Sequence, residues 1–256
     1  MNIHIITMPR SGSKTVMQYM TLYYREKYKN LFVSTLISTK DIIWQGLKSA
    51  WSVDEFLNHH HKGMFQGHAE ILNRFEILVS DKKIDSIEKE LISRLDIIQN
   101  LTEPYILKHF PRGYTHITDQ LISIPANIYY ITRDDIFNHT LSWALSQRLA
   151  SWVNNNHQKN MISLSENSPI TVDHIAFRGL LRELLHFSKK FNDGRPVIRF
   201  EDIIALNNAR DFCTLFNLDF VDFEFVKIGE EFGNHKLQMI ANINELHDIY
   251  TEEIEE

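Results

Sequence analysis

The residues from Pro9 to Thr15 place one glycine, two basic side chains and three hydroxyls within seven positions. They follow an apolar run, Ile3–Met8, and precede a stretch with helical spacing of apolar residues. A glycine-bearing loop between a strand and a helix can aim backbone N–H groups at an anion, and the helix dipole adds to the attraction. The segment therefore predicts a phosphate- or sulfate-binding turn. Its candidate anion ligands are Arg10, Ser11, Gly12, Ser13, Lys14 and Thr15.

The segment is not a complete Walker A loop, which requires G-x-x-x-x-G-K-[S/T]. The first glycine position is absent, and Ser13 separates Gly12 from Lys14. The alternative interpretation is an ordinary strand-to-helix turn whose charges are solvated.

The elements that would position this loop alternate along the chain. β-branched or aromatic runs predict strands at Ile3–Met8, Tyr105–Lys108, Asn127–Ile131 and Val197–Phe200. Apolar periodicity predicts helices at Val16–Tyr24, Asp81–Asn100, Asp135–Trp152, Val172–Lys190 and Ala209–Phe216.

Two helix ends carry specific expectations. Asp134 is the expected N-cap of the helix that follows the third predicted strand. The acidic tail, Thr251–Glu256, is expected to be frayed.

Strands separated by helices pair in parallel through crossover connections. We therefore expect an α/β fold: one three-layer α/β/α domain over residues 1–256, with a central, mostly parallel sheet and a helical insertion. Ligands of such sheets bind beyond the carboxyl ends of the strands, where the loop after the first strand lies.

Composition excludes several classes of protein. With 43% hydrophobic residues the chain is too apolar to be disordered, and its single cysteine, Cys213, rules out a disulfide framework. The net charge of −6 argues against a nucleic-acid partner, although a local basic pocket is compatible with it. No apolar run reaches about 18 residues and no targeting segment is visible, so we expect a cytoplasmic protein without membrane insertion.

The first motif resembles a known loop. Pro9-Arg10-Ser11-Gly12-Ser13 is similar to the 5′-phosphosulfate loop, P-[K/R]-S-G-T-[S/T], of the P-loop sulfotransferase superfamily. The resemblance implies 3′-phosphoadenosine 5′-phosphosulfate as the sulfuryl donor, with Arg10 stabilising charge on the bridging oxygen. Lys14 departs from the Thr or Ser of the family and would be an additional phosphate ligand or a sign of drift from the donor.

The segment from Arg133 to Ser142 resembles the family's 3′-phosphate motif, R-[N/D]-P-x-[D/E]-x-x-x-S. It is one residue longer and lacks the proline. The resemblance implies that Arg133 and Ser142 hold the 3′-phosphate, for which a guanidinium offers a bidentate fork. Alternatively, Arg133 pairs with Asp134 or Asp135, and Ser142 faces solvent.

Two later segments extend the resemblance. Arg199–Ile203 and Phe212–Phe220 are similar to the family's late strand motif and the helix after it, whose role is structural. Lys236 lies in a segment weakly similar to the basic loop over the adenine end, which implies a further 3′-phosphate contact.

The general base is expected at the end of the second predicted strand. Leu107–Pro111 resembles the family's K-x-H-[L/F]-P strand end, which implies that His109 removes the acceptor proton, although the lysine lies one place closer than usual. Histidine suits this role because its ordinary pKa is about 6.5. Glu70 is the alternative base, since other branches of the superfamily use a glutamate.

The run His59–His61, with His68 nearby, suggests a metal site, but its spacing does not match paired ligands on one helix face. No metal is expected.

The sequence thus predicts a sulfotransferase-like enzyme that sulfates a small-molecule, glycan or peptide acceptor. Residues 36–100 and 145–170 would form helical elements on the acceptor side. Two alternatives stay open: another P-loop enzyme, such as a small-molecule kinase, and a non-catalytic binding protein with the same fold.

Overall fold

The computed structural model describes a large part of the chain. The described residues are 2–25, 28, 32–37, 50–51, 92, 95–96, 98–102, 104–111, 115–148, 169–191, 193–225, 227, 237 and 240–255. The chain divides into two compact units, one of Met1–Thr132 with Gly194–Lys227 and one of Arg133–Asp193 with Ile228–Glu256. The single domain over 1–256 stays a prediction.

The described residues form strands and helices in alternation. The strands are β1 (Asn2–Thr7), β2 (Phe32–Ile37), β3 (Ala50–Trp51), β4 (Tyr105–His109), β5 (Asn127–Thr132) and β6 (Val197–Arg199). The helices are α1 (Ser13–Arg25), α2 (Thr115–Ser123), α3 (Ile136–Arg148), α4 (His174–Lys190), α5 (Phe200–Ile204), α6 (Ala209–Leu215) and α7 (Ile243–Glu255).

One mostly parallel sheet organises the first unit, in the order β3-β2-β4-β1-β5-β6. Only the β2–β3 pair is antiparallel among the described strands. The general α/β prediction is therefore confirmed. Strand β1 pairs with β4 on one side and β5 on the other, and its residues from Ile3 onward are buried, as a central parallel strand requires.

The strand order places a topological switch point between β1 and β5. The chain leaves β1 for β2 on one side of the sheet and leaves β5 for β6 on the other, while β1 and β5 are neighbours. Diverging connections at adjacent carboxyl ends create the place where open parallel sheets bind ligands.

The two faces of the sheet carry different side chains because neighbouring residues of a strand alternate. Ile5 lies beside Tyr129, whose ring contacts Phe216 at 5.2 Å between centroids. Phe216 contacts Phe212 of α6, which in turn contacts Tyr19 of α1. An aromatic chain therefore joins α1 and α6 to this face.

The opposite face carries polar groups. His4 and Ile6 of β1 share it with Tyr105 and His109 of β4. Thr118 of α2 contacts His109 there.

Helices α3, α4 and α7 belong to the second unit, where α4 contacts both of the others. The Phe137 ring of α3 stacks on the His247 ring of α7 at 3.9 Å between centroids. Asp173 caps α4 by accepting from the Ala176 N–H at 2.7 Å.

The expectation of a frayed acidic tail is wrong, because α7 continues to Glu255. The Glu253 carboxylate accepts from Arg182 Nε at 2.6 Å and from Arg178 Nη1 at 3.0 Å. These ion pairs with α4 hold the terminal acidic segment in its helix.

The prediction that Asp134 is the N-cap of α3 is also wrong, by one residue. The Asp135 carboxylate, and not that of Asp134, accepts from the Asn138 N–H at 2.9 Å. The last predicted strand ends at Arg199, and Phe200 already begins α5.

Of residues 36–100, positions 36–37 lie in β2, 50–51 in β3, and 92, 95–96 and 98–99 are helical. The remaining predictions for that segment, and for 149–168, lie outside the described residues. No helix in the described part of the chain is both long and apolar enough to cross a bilayer.

Candidate functional site: the loop after the first strand

The candidate loop, Met8–Gly12, connects the central strand β1 to the N-terminus of α1. It therefore leaves the carboxyl end of the sheet at β1, next to β5.

The loop has an unusual backbone. Arg10 has a φ of 68° and Gly12 a φ of 76°, so two left-handed residues flank Ser11. A left-handed arginine costs on the order of 1 kcal/mol, which the surrounding structure must offset. Turns that include left-handed residues form concave nests of N–H groups that bind anions.

Two hydroxyls fix the start of the loop. Ser11 Oγ is fully buried and donates to the Met8 carbonyl oxygen at 2.7 Å. Ser11 Oγ also hydrogen-bonds Thr7 Oγ1, which reaches the Ile131 carbonyl oxygen of β5 at 3.0 Å. The Ser11 hydroxyl is thus engaged within the protein, and the group that Ser11 could offer an anion is its backbone N–H.

The first turn of α1 completes the anion-binding character of the loop. Thr15 N–H donates to the Gly12 carbonyl oxygen at 3.0 Å, while the N–H groups of Ser13 and Lys14 precede any intrahelical acceptor. The first turn has no acidic residue to balance the helix dipole. A bound anion would supply that balance. Of Lys14, only the backbone belongs to the described part of the chain.

Gly12 combines a left-handed backbone conformation with close packing against Phe200. A Cβ at this position would lie 2.4 Å from Cδ2 and 2.7 Å from Cε2 of Phe200. Phe200 is the first residue of α5 and is buried. Glycine is therefore required here by both its φ and its neighbour.

The predicted base, His109, is fully buried at the carboxyl end of β4. Its Nε2 lies 2.7 Å from Thr118 Oγ1, and its buried Nδ1 has no hydrogen-bond partner among the described residues. Burial, reinforced by neighbouring His4, lowers the pKa of His109 to about 3. The ring is therefore neutral near pH 7, but a pKa this far below 7 makes it a weak proton acceptor, which counts against a role as base.

Sequence reasoning missed His4. Its Nε2 lies 3.0 Å from the Tyr105 hydroxyl, and burial lowers its pKa to about 4. A polar residue within the apolar run of β1 was the available signal.

Arg133 and Ser142 both belong to the second unit. Arg133 directly follows β5, and Ser142 lies about 9 Å along the axis of α3 from its start, at 1.5 Å per residue. The alternative in which Ser142 faces solvent is wrong, since its side chain is buried.

The remaining predicted residues lie outside the described part of the chain. They are Glu70, Lys236, the run His59–His61 and His68.

No protein-family model matches this chain, and no curated protein matches it.

Proposed function

We propose that the protein is a sulfotransferase-like enzyme that takes its sulfuryl group from 3′-phosphoadenosine 5′-phosphosulfate. One observation supports this most strongly: Arg10 and Gly12 are both left-handed, in a loop at the carboxyl end of the central strand. Together with the motif Pro9–Ser13, this backbone suits the 5′-phosphosulfate group of the donor.

In the proposed complex, the loop and the first turn of α1 hold the 5′ end of the donor through backbone N–H groups. The Ser13 and Thr15 hydroxyls, with the charge of Lys14, add to them. Arg10 stabilises the negative charge that develops on the bridging oxygen. Arg133, Ser142 and Lys236 hold the 3′-phosphate.

The reaction is an in-line displacement. An acceptor oxygen or nitrogen bonds to sulfur while the bond from sulfur to the 5′-phosphate oxygen breaks. The acceptor proton passes to the base, and 3′-phosphoadenosine 5′-phosphate leaves. No metal is part of the proposed reaction.

His109 is the proposed base, acting through Nδ1. In the tautomer that this role requires, Nε2 donates to Thr118 Oγ1 and the lone pair remains on Nδ1. Because the side chain is buried, the acceptor must enter the carboxyl end of the sheet to reach it. Glu70 is the alternative base.

The proposal includes a three-layer arrangement with a P-loop after β1, and acceptor-side elements within 36–100 and 145–170. Helix contacts on both faces of the sheet support the layers. The acceptor is a small molecule, a glycan or a peptide.

A second candidate is a non-catalytic protein that binds the same nucleotide. The complete burial of His109 favours it, because a base must meet its substrate.

Isothermal titration calorimetry with 3′-phosphoadenosine 5′-phosphate tests the binding step. We expect saturable binding of the nucleotide without Mg²⁺. Arg10→Ala should abolish this binding. Arg210 is an exposed arginine on α6, and the control variant Arg210→Ala should bind as wild type does. Binding of Mg²⁺–ATP in its place would indicate a kinase. Nucleotide binding without transfer to any tested acceptor would favour the non-catalytic protein.

A further inference from the structure

The Phe200 ring fills the space beside Gly12 that any other residue at that position would use for its side chain. The ring carbons Cδ2 and Cε2 lie 2.4 and 2.7 Å from the ideal Cβ position. Phe200 is buried and begins α5, immediately after the edge strand β6. Residues distant in sequence thus meet at the turn that carries the candidate nest.

The contact matters because glycine is the residue with the widest range of φ and ψ. A free glycine in a binding loop loses that range only when the ligand arrives, and the affinity is reduced by the ordering cost. A rigid ring packed against Gly12 removes alternative conformations before binding. The hydroxyl contacts of Ser11 fix the start of the loop, and the ring fixes its end.

We infer that Phe200 is a positioning residue of the anion loop: its ring holds Gly12 in the left-handed conformation that directs the loop N–H groups at the ligand. The inference rests on the proposed function for the identity of the nucleotide. It adds a role to the Arg199–Ile203 motif, for which the sequence predicted only a structural one.

The test compares Phe200→Leu, Phe200→Tyr and a control, Phe212→Leu, by calorimetry with 3′-phosphoadenosine 5′-phosphate. Phe212 is equally aromatic and buried, lies in the same unit, and contacts Tyr19 and Phe216. Thermal melting of each variant separates loss of stability from loss of binding.

We expect Phe200→Leu to weaken binding about tenfold, because Gly12 regains freedom that the ligand must remove. Phe200→Tyr keeps the ring and should bind within about threefold of wild type. The control Phe212→Leu should melt lower yet bind with unchanged affinity. If Phe200→Leu does not fold, Phe200→Met fills a similar volume with a flexible chain and should show the same weakening.

Wild-type affinity in a folded Phe200→Leu or Phe200→Met variant would overturn the inference. So would an equal loss of affinity in Phe212→Leu. If wild type does not bind the nucleotide, the proposed function fails, and the same variants are titrated with inorganic pyrophosphate. Pyrophosphate binding that depends on Phe200 would then support its role in the anion loop, and no pyrophosphate binding would overturn that role as well.

Discussion

The imidazole of His109 lies against the hydroxyl of Thr118, with Nε2 and Oγ1 2.7 Å apart, and neither side chain is exposed. This contact ties the end of β4 to α2 and fixes the orientation of the ring. His4 lowers the pKa of the same ring further, so two neutral histidines share one face of the sheet.

The pH dependence of turnover tests the role of His109 as base. Since its pKa is lowered to about 3, the ring stays deprotonated at physiological pH. We expect kcat/KM to show no loss from this group between about pH 8 and about pH 5.

Substitution tests the same role directly. His109→Gln should lower kcat about a hundredfold, as expected for loss of a general base. His116 is an exposed histidine on α2, and His116→Ala should leave kcat unchanged. Full turnover in a folded His109→Gln enzyme would reject His109, and Glu70→Gln would be the next variant.

The buried histidines should also make the fold sensitive to acid. Unfolded histidine titrates near pH 6.5, whereas the folded pKa values are about 4 for His4 and about 3 for His109. The unfolded state therefore binds more protons below about pH 6.5. The stabilisation is complete above that pH and falls as the pH drops toward 4, by up to about 1.4 kcal/mol per pH unit for each ring.

Urea unfolding at about pH 7 and about pH 5 measures this effect. His4→Phe should reduce the difference between the two pH values, and His186→Gln, an exposed histidine on α4, should leave it unchanged. An identical pH dependence in His4→Phe would contradict the prediction.

Alanine substitutions at three glycines separate the cost of a positive φ from the cost of a steric clash with a neighbouring side chain. Gly12→Ala should abolish anion binding and destabilise the protein by more than about 1 kcal/mol, because it meets both a positive φ and the Phe200 ring. Gly194→Ala meets only a positive φ and should cost about 1 kcal/mol without affecting binding. Gly179→Ala, in open space within α4, should stabilise the protein by about 0.5–1 kcal/mol. Chemical denaturation and calorimetry of the three variants give both quantities.

Glu253 is expected to hold α7 on α4. Its hydrogen bond with Arg182, and then its contact with Arg178, lower the pKa of Glu253, so this stabilisation is present above the ordinary glutamate pKa and is lost in acid. Glu253→Gln should lower the melting temperature more than Glu252→Gln, because among the described residues the Glu252 carboxylate accepts from Arg178 alone, at 2.6 Å, whereas that of Glu253 accepts from two arginines. Equal melting of the two variants would show that the ion pairs contribute no net stability.

Local pattern predicted much of the sheet. Strands β1, β4 and β5 are short apolar runs, and they lie where sequence reasoning expected them. Strand β2 was missed, because Ser34 and Thr35 interrupt its apolar character. Helix α2 was missed as well.

The candidate site was predictable in its residues and not in its contacts. The motif around Gly12 is visible in the sequence, but the Phe200 ring reaches it only through the fold. The acidic end of α7 was misjudged for the same reason, since Arg178 and Arg182 are distant in sequence. Sequence patterns report local helix and strand propensity, whereas the Gly12 contact and the order of the α7 end depend on residues that only the tertiary fold brings near.

The amide signal of Gly12 reports directly on whether this loop holds the nucleotide. Glycine-selective ¹⁵N labelling gives nine signals at most, one for each glycine of the chain, and Gly12→Ala identifies the one that matters. On titration with 3′-phosphoadenosine 5′-phosphate, the Gly12 signal should shift in a saturable manner while those of Gly179 and Gly194 stay in place. Saturable binding by calorimetry with an unmoved Gly12 signal would contradict the claim that this loop holds the nucleotide.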